Sequence, residues 1–193
     1  MRVKPIDIAE LDSAGADLCR AIAGSRGGIV DGPFRVWLRS NPALAARMND
    51  VGHVLRDTGT LDKRLFEIAV LCVARFWDAR YQWAAHAVIA RNLGLSQETI
   101  DEIGQDIPPS SAPADERAVH DLCINLLRHR HIPDDLYQQV LAMIGFGQLV
   151  ELVTTVGQYS LAAIVTNGFD IALLSGGPDL PERATSRGDA QHP

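Results

Sequence analysis

The stretch LDKRLFEIAVLCVARFWDARYQWAAHAVIARNLGLSQETIDEI, residues 61–103, decides the fold. Between Leu65 and Ala74 it reads LFEIAVLCVA, and Glu67 is the only charge there. Leu65, Ile68, Cys72 and Phe76 recur at helical spacing, and Ala69 and Val73 widen the stripe. A helix this apolar is buried around most of its circumference. Thr60 is placed to cap a helix from Leu61 to about Phe76. Asp78 is placed to cap a second, which runs to Leu93 and stops at Gly94, a natural C′ residue. The connection is very short, so the two helices are expected to pack as an antiparallel hairpin.

The same punctuation extends outward. Asp7 to Ala23 reads as a first helix, ended by the Gly24–Gly28 region. Gly32, Pro33 and Phe34 open a short segment carrying Val36, Trp37 and Leu38. Asn41 and Pro42 read as N-cap and N1 of a helix to about Leu55. Ser96 caps a short helix to about Ile103, and residues 107–113 form a Pro/Ser-rich loop. A helix from Asp115 to His129 follows. Pro133 at N1 starts another that ends near Gly145, and Gly147 leads into a long final helix to about Leu174. Sustained β-branched alternation and Asn-Gly or Asp-Gly hairpin signals are missing. The expectation is an all-α, single-domain helical bundle of roughly eight helices. Residues 1–29 form an N-terminal helix and linker, 30–175 the helical domain and 176–193 a flexible tail.

Composition narrows the function classes. The 193 residues are 47% hydrophobic and 22% charged, ordinary for one globular domain. Eighteen Lys and Arg against 24 Asp and Glu give a net charge of −6, which argues against a nucleic-acid groove or an anionic membrane surface. Cys19, Cys72 and Cys123 lie far apart, which excludes a Cys-x-x-Cys redox pair and suggests a reducing compartment. The N-terminus MRVKPIDIAELD lacks an apolar signal core, so a cytoplasmic location is expected. Residues 152–169 carry no charge, yet Thr154, Thr155, Gln158, Ser160, Thr166 and Asn167 dilute them. They read as a helix buried in the core or at a subunit interface, not as a membrane span.

Two residues break the apolar pattern. A carboxylate on a helix like that of Glu67 needs a partner to offset its desolvation. His86 is the one group between Tyr81 and Ala90 that titrates near neutrality. Ala79, Gln82, Trp83, His86 and Ala90 share one face, and Gln82 lies one turn from the imidazole. Glu67 precedes Trp77 by ten residues and His86 follows it by nine, so the hairpin sets them at similar heights. Such a pair is either a general acid/base device or a satisfied core contact. Other titratable groups are weaker candidates. His129 and His131 point to different helix faces; Glu116 and His120 have chelating spacing but no third ligand, so no metal is expected. His53 reads as a pocket or a surface residue, and Tyr159 as a site hydroxyl or core packing. No GxSxG elbow, P-loop or GxGxxG is found.

Glu67, eleven residues, Ala79, two residues, Gln82, three residues and His86, with the flanking 61–103 stretch and the GPFRVWL segment from Gly32, resemble the carboxymuconolactone decarboxylase family. The likeness runs more loosely through Glu151, Gln158-Tyr159 and Asn167-Gly168-Phe169, covering most of residues 30–175. It implies an alkyl hydroperoxide reductase D-like subunit that forms trimers or hexamers, without metal or organic cofactor. In the peroxidase branch of that superfamily two redox cysteines would fall on Ala79 and Gln82, and neither is a thiol.

The resemblance implies decarboxylation of a small lactone from aromatic catabolism, with His86 as proton donor held by Glu67. Substrate-binding candidates are Gln82, Trp83, Arg35, Arg39 and Trp37. Arg35 and Arg39 are i,i+4 and fit either a carboxylate anchor or a solvated face. Trp83 fits either pocket wall or core. The alternatives are a peroxidase or disulfide reductase, and a non-catalytic oligomer with a structural Glu–His pair.

Overall fold

The computed structural model describes residues 2–24, 28, 30–172 and 177–184 of the chain. Among these residues there are eight α-helices and no strand: α1 (Ser13–Gly24), α2 (Phe34–Ser40), α3 (Pro42–His53), α4 (Lys63–Phe76), α5 (Arg80–Asn92), α6 (Gln97–Gly104), α7 (Ala114–His129) and α8 (Asp134–Gly168). A 3₁₀ turn (Ile8–Glu10) precedes α1, and a π-helical turn (Val54–Thr58) extends α3.

The bundle is built around α4. Every residue from Leu65 to Arg75 is buried, and α5, α6, α7 and α8 all pack against this one helix. Each large apolar side chain fully removed from water there contributes about 1.5–3 kcal/mol. The cap differs from the expected one. Asp62 accepts the Arg64 amide at 2.8 Å, while Thr60 gives its own amide to the Glu151 carboxylate of α8. Leu61 N–H adds a 2.7 Å bond to the same carboxylate, so a second acceptor at this entry comes from α8.

Asp78 also departs from its expected role. It adopts a left-handed backbone (φ 48°), and Ala79 takes the N-cap position of α5. The Asp78 carboxylate pairs instead with Arg75 and Arg183, leaving the turn amides to bond Val73 and Ala74 carbonyls. The first helix begins later than its periodicity suggests. Asp7 caps only the 3₁₀ turn, and Asp12 Oδ1 takes the Gly15 amide at 2.7 Å as α1 starts. Gly145 (φ 77°, ψ 167°) divides α8, since this backbone has a mirror-image geometry that side chains resist. Helix α8 ends at Gly168, before the expected Leu174, which lies outside the described residues. The left-handed Asp170 and the Ile171 amide bonded to the Thr166 carbonyl close it.

Part of the expected flexible tail is bound. Arg75 donates to the carbonyls of Gly104 (2.7 Å) and Pro181 (2.6 Å), and the Ala184 amide meets the Gln105 carbonyl. Arg183 pairs with Asp106 and Asp78. Residues 177–184 therefore lie across α4 and the end of α6.

Two apolar clusters meet at a seam. The larger centres on α4. The smaller joins Cys19, Ile22, Phe34, Trp37, Leu38 and Ala45 from α1–α3 and touches α8 at Val165. Helix α8 is long and apolar enough to cross a membrane by length and composition, but only 28% of its most apolar window is buried within this chain. Phe146, Val150, Leu161 and Ile164 are exposed along it.

Candidate active site

Glu67 and His86 meet as the hairpin heights predict. His86 Nδ1 lies 2.8 Å from Glu67 Oε2, with the carboxylate side chain 4% exposed and the ring 14% exposed. Nδ1–H donates to the carboxylate, which orients the ring and leaves Nε2 as the nitrogen available for chemistry. The Tyr159 ring stands edge-on to His86 and edge-on to Phe66, closing the other side of the imidazole. Gln82 Nε2 donates to the Val70 carbonyl at 3.3 Å, tying α5 to α4 one turn before His86.

His86 opens into a cavity of about 370 Å³ at the seam between the two clusters. Phe34, Trp37 and Met48 form its apolar N-terminal wall; Tyr81, Gln82 and Ile89 come from α5, and Gln158, Tyr159 and Thr166 from α8. Gly32, at φ 65°, lets Tyr81 approach: a Cβ there would sit 2.7 Å from the tyrosine ring.

The substrate-binding candidates divide. Trp37 and Gln82 line the cavity. Trp83, 1% exposed, does not; it faces away beside a second hollow bounded by α6 and residues 177–179. Arg35 is buried against Asp31 in a bidentate pair, and the cavity sees Asp31 instead. Arg39 leaves the site altogether, donating to the Lys4 and Pro5 carbonyls at 2.6 and 2.8 Å. Among the described residues, the arginine that does line the cavity is Arg56 of the π-helical turn, which the sequence reading missed together with Tyr81.

The remaining titratable candidates go elsewhere. His53 Nδ1 sits 2.8 Å from Asp57, outside the cavity lining. Glu116 pairs with Arg64; His120 pairs with Asp121, and burial holds its ring below the usual imidazole range. His129 and His131 are exposed. Among the described residues no cluster of three metal-ligating side chains forms. All three cysteines are buried and none lines the His86 cavity. The Cys123 thiol and complete burial push Cys72 well above the usual thiol range, opposite to what a nucleophile needs.

Comparisons with known proteins agree with this architecture. The model of the carboxymuconolactone decarboxylase family matches residues 42–120, a span that holds both Glu67 and His86. A Ralstonia eutropha protein with an alkylhydroperoxidase AhpD core, described as an uncharacterised peroxidase-related protein, superposes with a TM-score of 0.75 at 15% identity, covering 90% of this chain and 92% of its own. An Agrobacterium tumefaciens protein of unknown function, described as a candidate AhpD antioxidant defence protein, gives a TM-score of 0.65 at 15% identity. That match covers 72% of this chain and 96% of the other. No curated protein matches the sequence.

Proposed function

From the carboxymuconolactone decarboxylase family match over residues 42–120 and the AhpD-core fold, we propose that the chain is a cofactor-free acid/base enzyme of that family, acting on a small carboxylated lactone or related aromatic-derived acid. The observation that carries this reading is the 2.8 Å Glu67–His86 bond at the wall of a cavity large enough for such a molecule.

The chemistry follows from the groups present. The bond to the departing carboxylate breaks, and its electron pair delocalises into the unsaturated lactone as carbon dioxide leaves. The apolar wall of Phe34, Trp37 and Met48 keeps water from stabilising the carboxylate that must lose its charge. His86 Nε2–H then delivers a proton to carbon, while Glu67 stabilises the imidazolium before transfer and fixes the ring throughout. Solvent restores the proton through the partly open cavity.

General acid/base groups of this kind contribute about 10²–10⁴-fold in rate. His86→Ala is expected to lower kcat by that order and Glu67→Gln by somewhat less, with both chains folded by circular dichroism. Full turnover in both variants on the enzyme's substrate defeats the assignment.

A peroxidase reading draws on the peroxidase-related description of the Ralstonia protein. The buried cysteines and the residues Ala79 and Gln82 speak against it. Thiol-dependent peroxide consumption that disappears in Cys72→Ser would favour it instead. Self-association also forms part of the proposal, with the exposed Phe146, Val150 and Ile164 row of α8 as the surface a second copy covers. Light scattering of the purified chain gives the assembly mass directly.

A further inference from the structure

Resting on the acid/base reading of the His86 cavity, we propose that Arg56 is its anion anchor and that the ligand is a small organic molecule whose carboxylate Arg56 grips. Three features of the turn hold Arg56 in place. It lies in a five-residue π-helical turn, Val54–Thr58, a rare backbone geometry that often accompanies binding sites. Lys63 Nζ fastens its backbone through a 2.7 Å bond to the Arg56 carbonyl. Asp57 Oδ2 then accepts from Arg56 Nη2 at 3.0 Å and also meets His53 Nδ1 at 2.8 Å.

The Asp57 contact uses one edge of the guanidinium. An arginine presents five donors in a planar fork, so donors remain for a second carboxylate. The side chain is 22% exposed and borders the same cavity as His86. Arg35, the other arginine near this wall, is already matched bidentately by Asp31. The cavity lining thus offers Asp31, whose charge Arg35 balances, and Arg56, whose charge Asp57 shares with His53.

The chemistry of the reaction also favours one carboxylate over another. A guanidinium clamped on a departing carboxylate stabilises the charge that decarboxylation has to remove, and binding that favours the ground state does not speed a reaction. Arg56 therefore suits a carboxylate that persists from substrate to product. It orients the molecule, while the reacting carbon lies at His86.

The test uses the full chain, sodium benzoate as the anionic probe and benzamide as its uncharged counterpart. His86 ring resonances, identified by their loss in H86A, report binding. Benzoate is expected to shift them saturably in the wild type, with benzamide at least about tenfold weaker, the scale of a lost charge-assisted bond. R56M is expected to lose at least about tenfold in benzoate affinity and R39M to keep it. The wild-type comparison of the two probes needs no variant, so it stands even if R56M does not fold. Equal binding of both probes, undiminished benzoate affinity in a folded R56M, or no shift of His86 by either probe overturns the proposal. Loss of turnover in H86A alongside undiminished benzoate binding by R56M removes Arg56 alone. Full turnover in H86A alongside Arg56-dependent benzoate binding removes the acid/base reading and leaves the anion site.

Discussion

The rings of Tyr159 and His86 stand at 90° with their centroids 5.1 Å apart, so a residue of α8 fixes the imidazole that Glu67 orients from α4. Edge-to-face pairs of this kind contribute about 0.5–1.5 kcal/mol beyond the area they bury. Tyr159→Phe keeps the ring and is expected to leave the packing intact. Tyr159→Ala opens the cavity beside His86 and lets the imidazole swing. Its kcat should fall about tenfold or more while the chain remains folded, and the His86 ring resonances should broaden. Unchanged kcat and sharp resonances in Tyr159→Ala would show that Glu67 alone is sufficient to hold the ring.

Glu151 gives a pH-dependent prediction. Burial pushes its carboxyl up, but the Thr60 and Leu61 amides, the Thr60 hydroxyl and nearby Lys63 outweigh this and hold it below the usual carboxylate range. The ionised form is therefore favoured by folding. Its stabilisation is complete above the ordinary carboxylate pKa and is lost as pH falls through the lower folded-state value. Glu151→Gln removes the charge and turns one of the two accepting oxygens into an NH2 that faces the Thr60 and Leu61 amides, a loss comparable to a helix cap, about 1 kcal/mol. For a chain of this size that is about 2–4 °C in Tm at neutral pH. The difference between wild type and variant should shrink as the pH is lowered toward 3. A gap that is constant with pH would mean that charge plays no part at this junction.

The hairpin and its Glu–His pair were legible because both rest on local rules. A ten-residue apolar run sets a buried helix, a short turn sets an antiparallel neighbour, and counting from Trp77 sets the height. The rest of the cavity obeys no such local rule, because its walls come from α2, α3, α5, α8 and a π-helical turn. A π-turn shifts the helical register, so spacing arguments along α3 could not place Arg56. Arg35 is occupied for a different reason. Asp31 stands four residues before it, and that i,i+4 acid–base spacing is the signal that the guanidinium is already paired. Arg39 was lost to backbone carbonyls of residues 4 and 5, which no periodicity along α2 reveals. Trp83 shares a broad helical face with His86, yet the larger ring turns toward α6 and residues 177–179, where apolar surface awaits it.

The C-terminal segment supplies the last prediction. Its Gly, Pro and charge content reads as solvated chain, yet residues 177–184 supply an acceptor to a buried arginine. Arg75 is 5% exposed, and the Pro181 carbonyl is one of its few acceptors, beside Gly104 and Asp78. Arg183 returns a bond to the Arg75 carbonyl at 3.1 Å and pairs with Asp78 at 3.0 Å, so the two arginines and one aspartate form a single network. A chain ending at residue 176 loses the Pro181 acceptor and the Arg183 charge together. Hydrogen bonds to charged groups are worth about 1.5–3 kcal/mol, and a buried guanidinium left short of acceptors costs on that scale. The truncated chain should melt about 3–12 °C lower. Arg183→Ala, which spares the Pro181 carbonyl, should cost less than half as much, because the guanidinium is 42% exposed and its ion pairs are screened. Since Trp83 borders the same segment, its fluorescence should shift to the red in the truncated chain and not in Arg183→Ala. Equal melting temperatures for the truncated and full-length chains would mean that residues 177–184 rest on the bundle without supporting it.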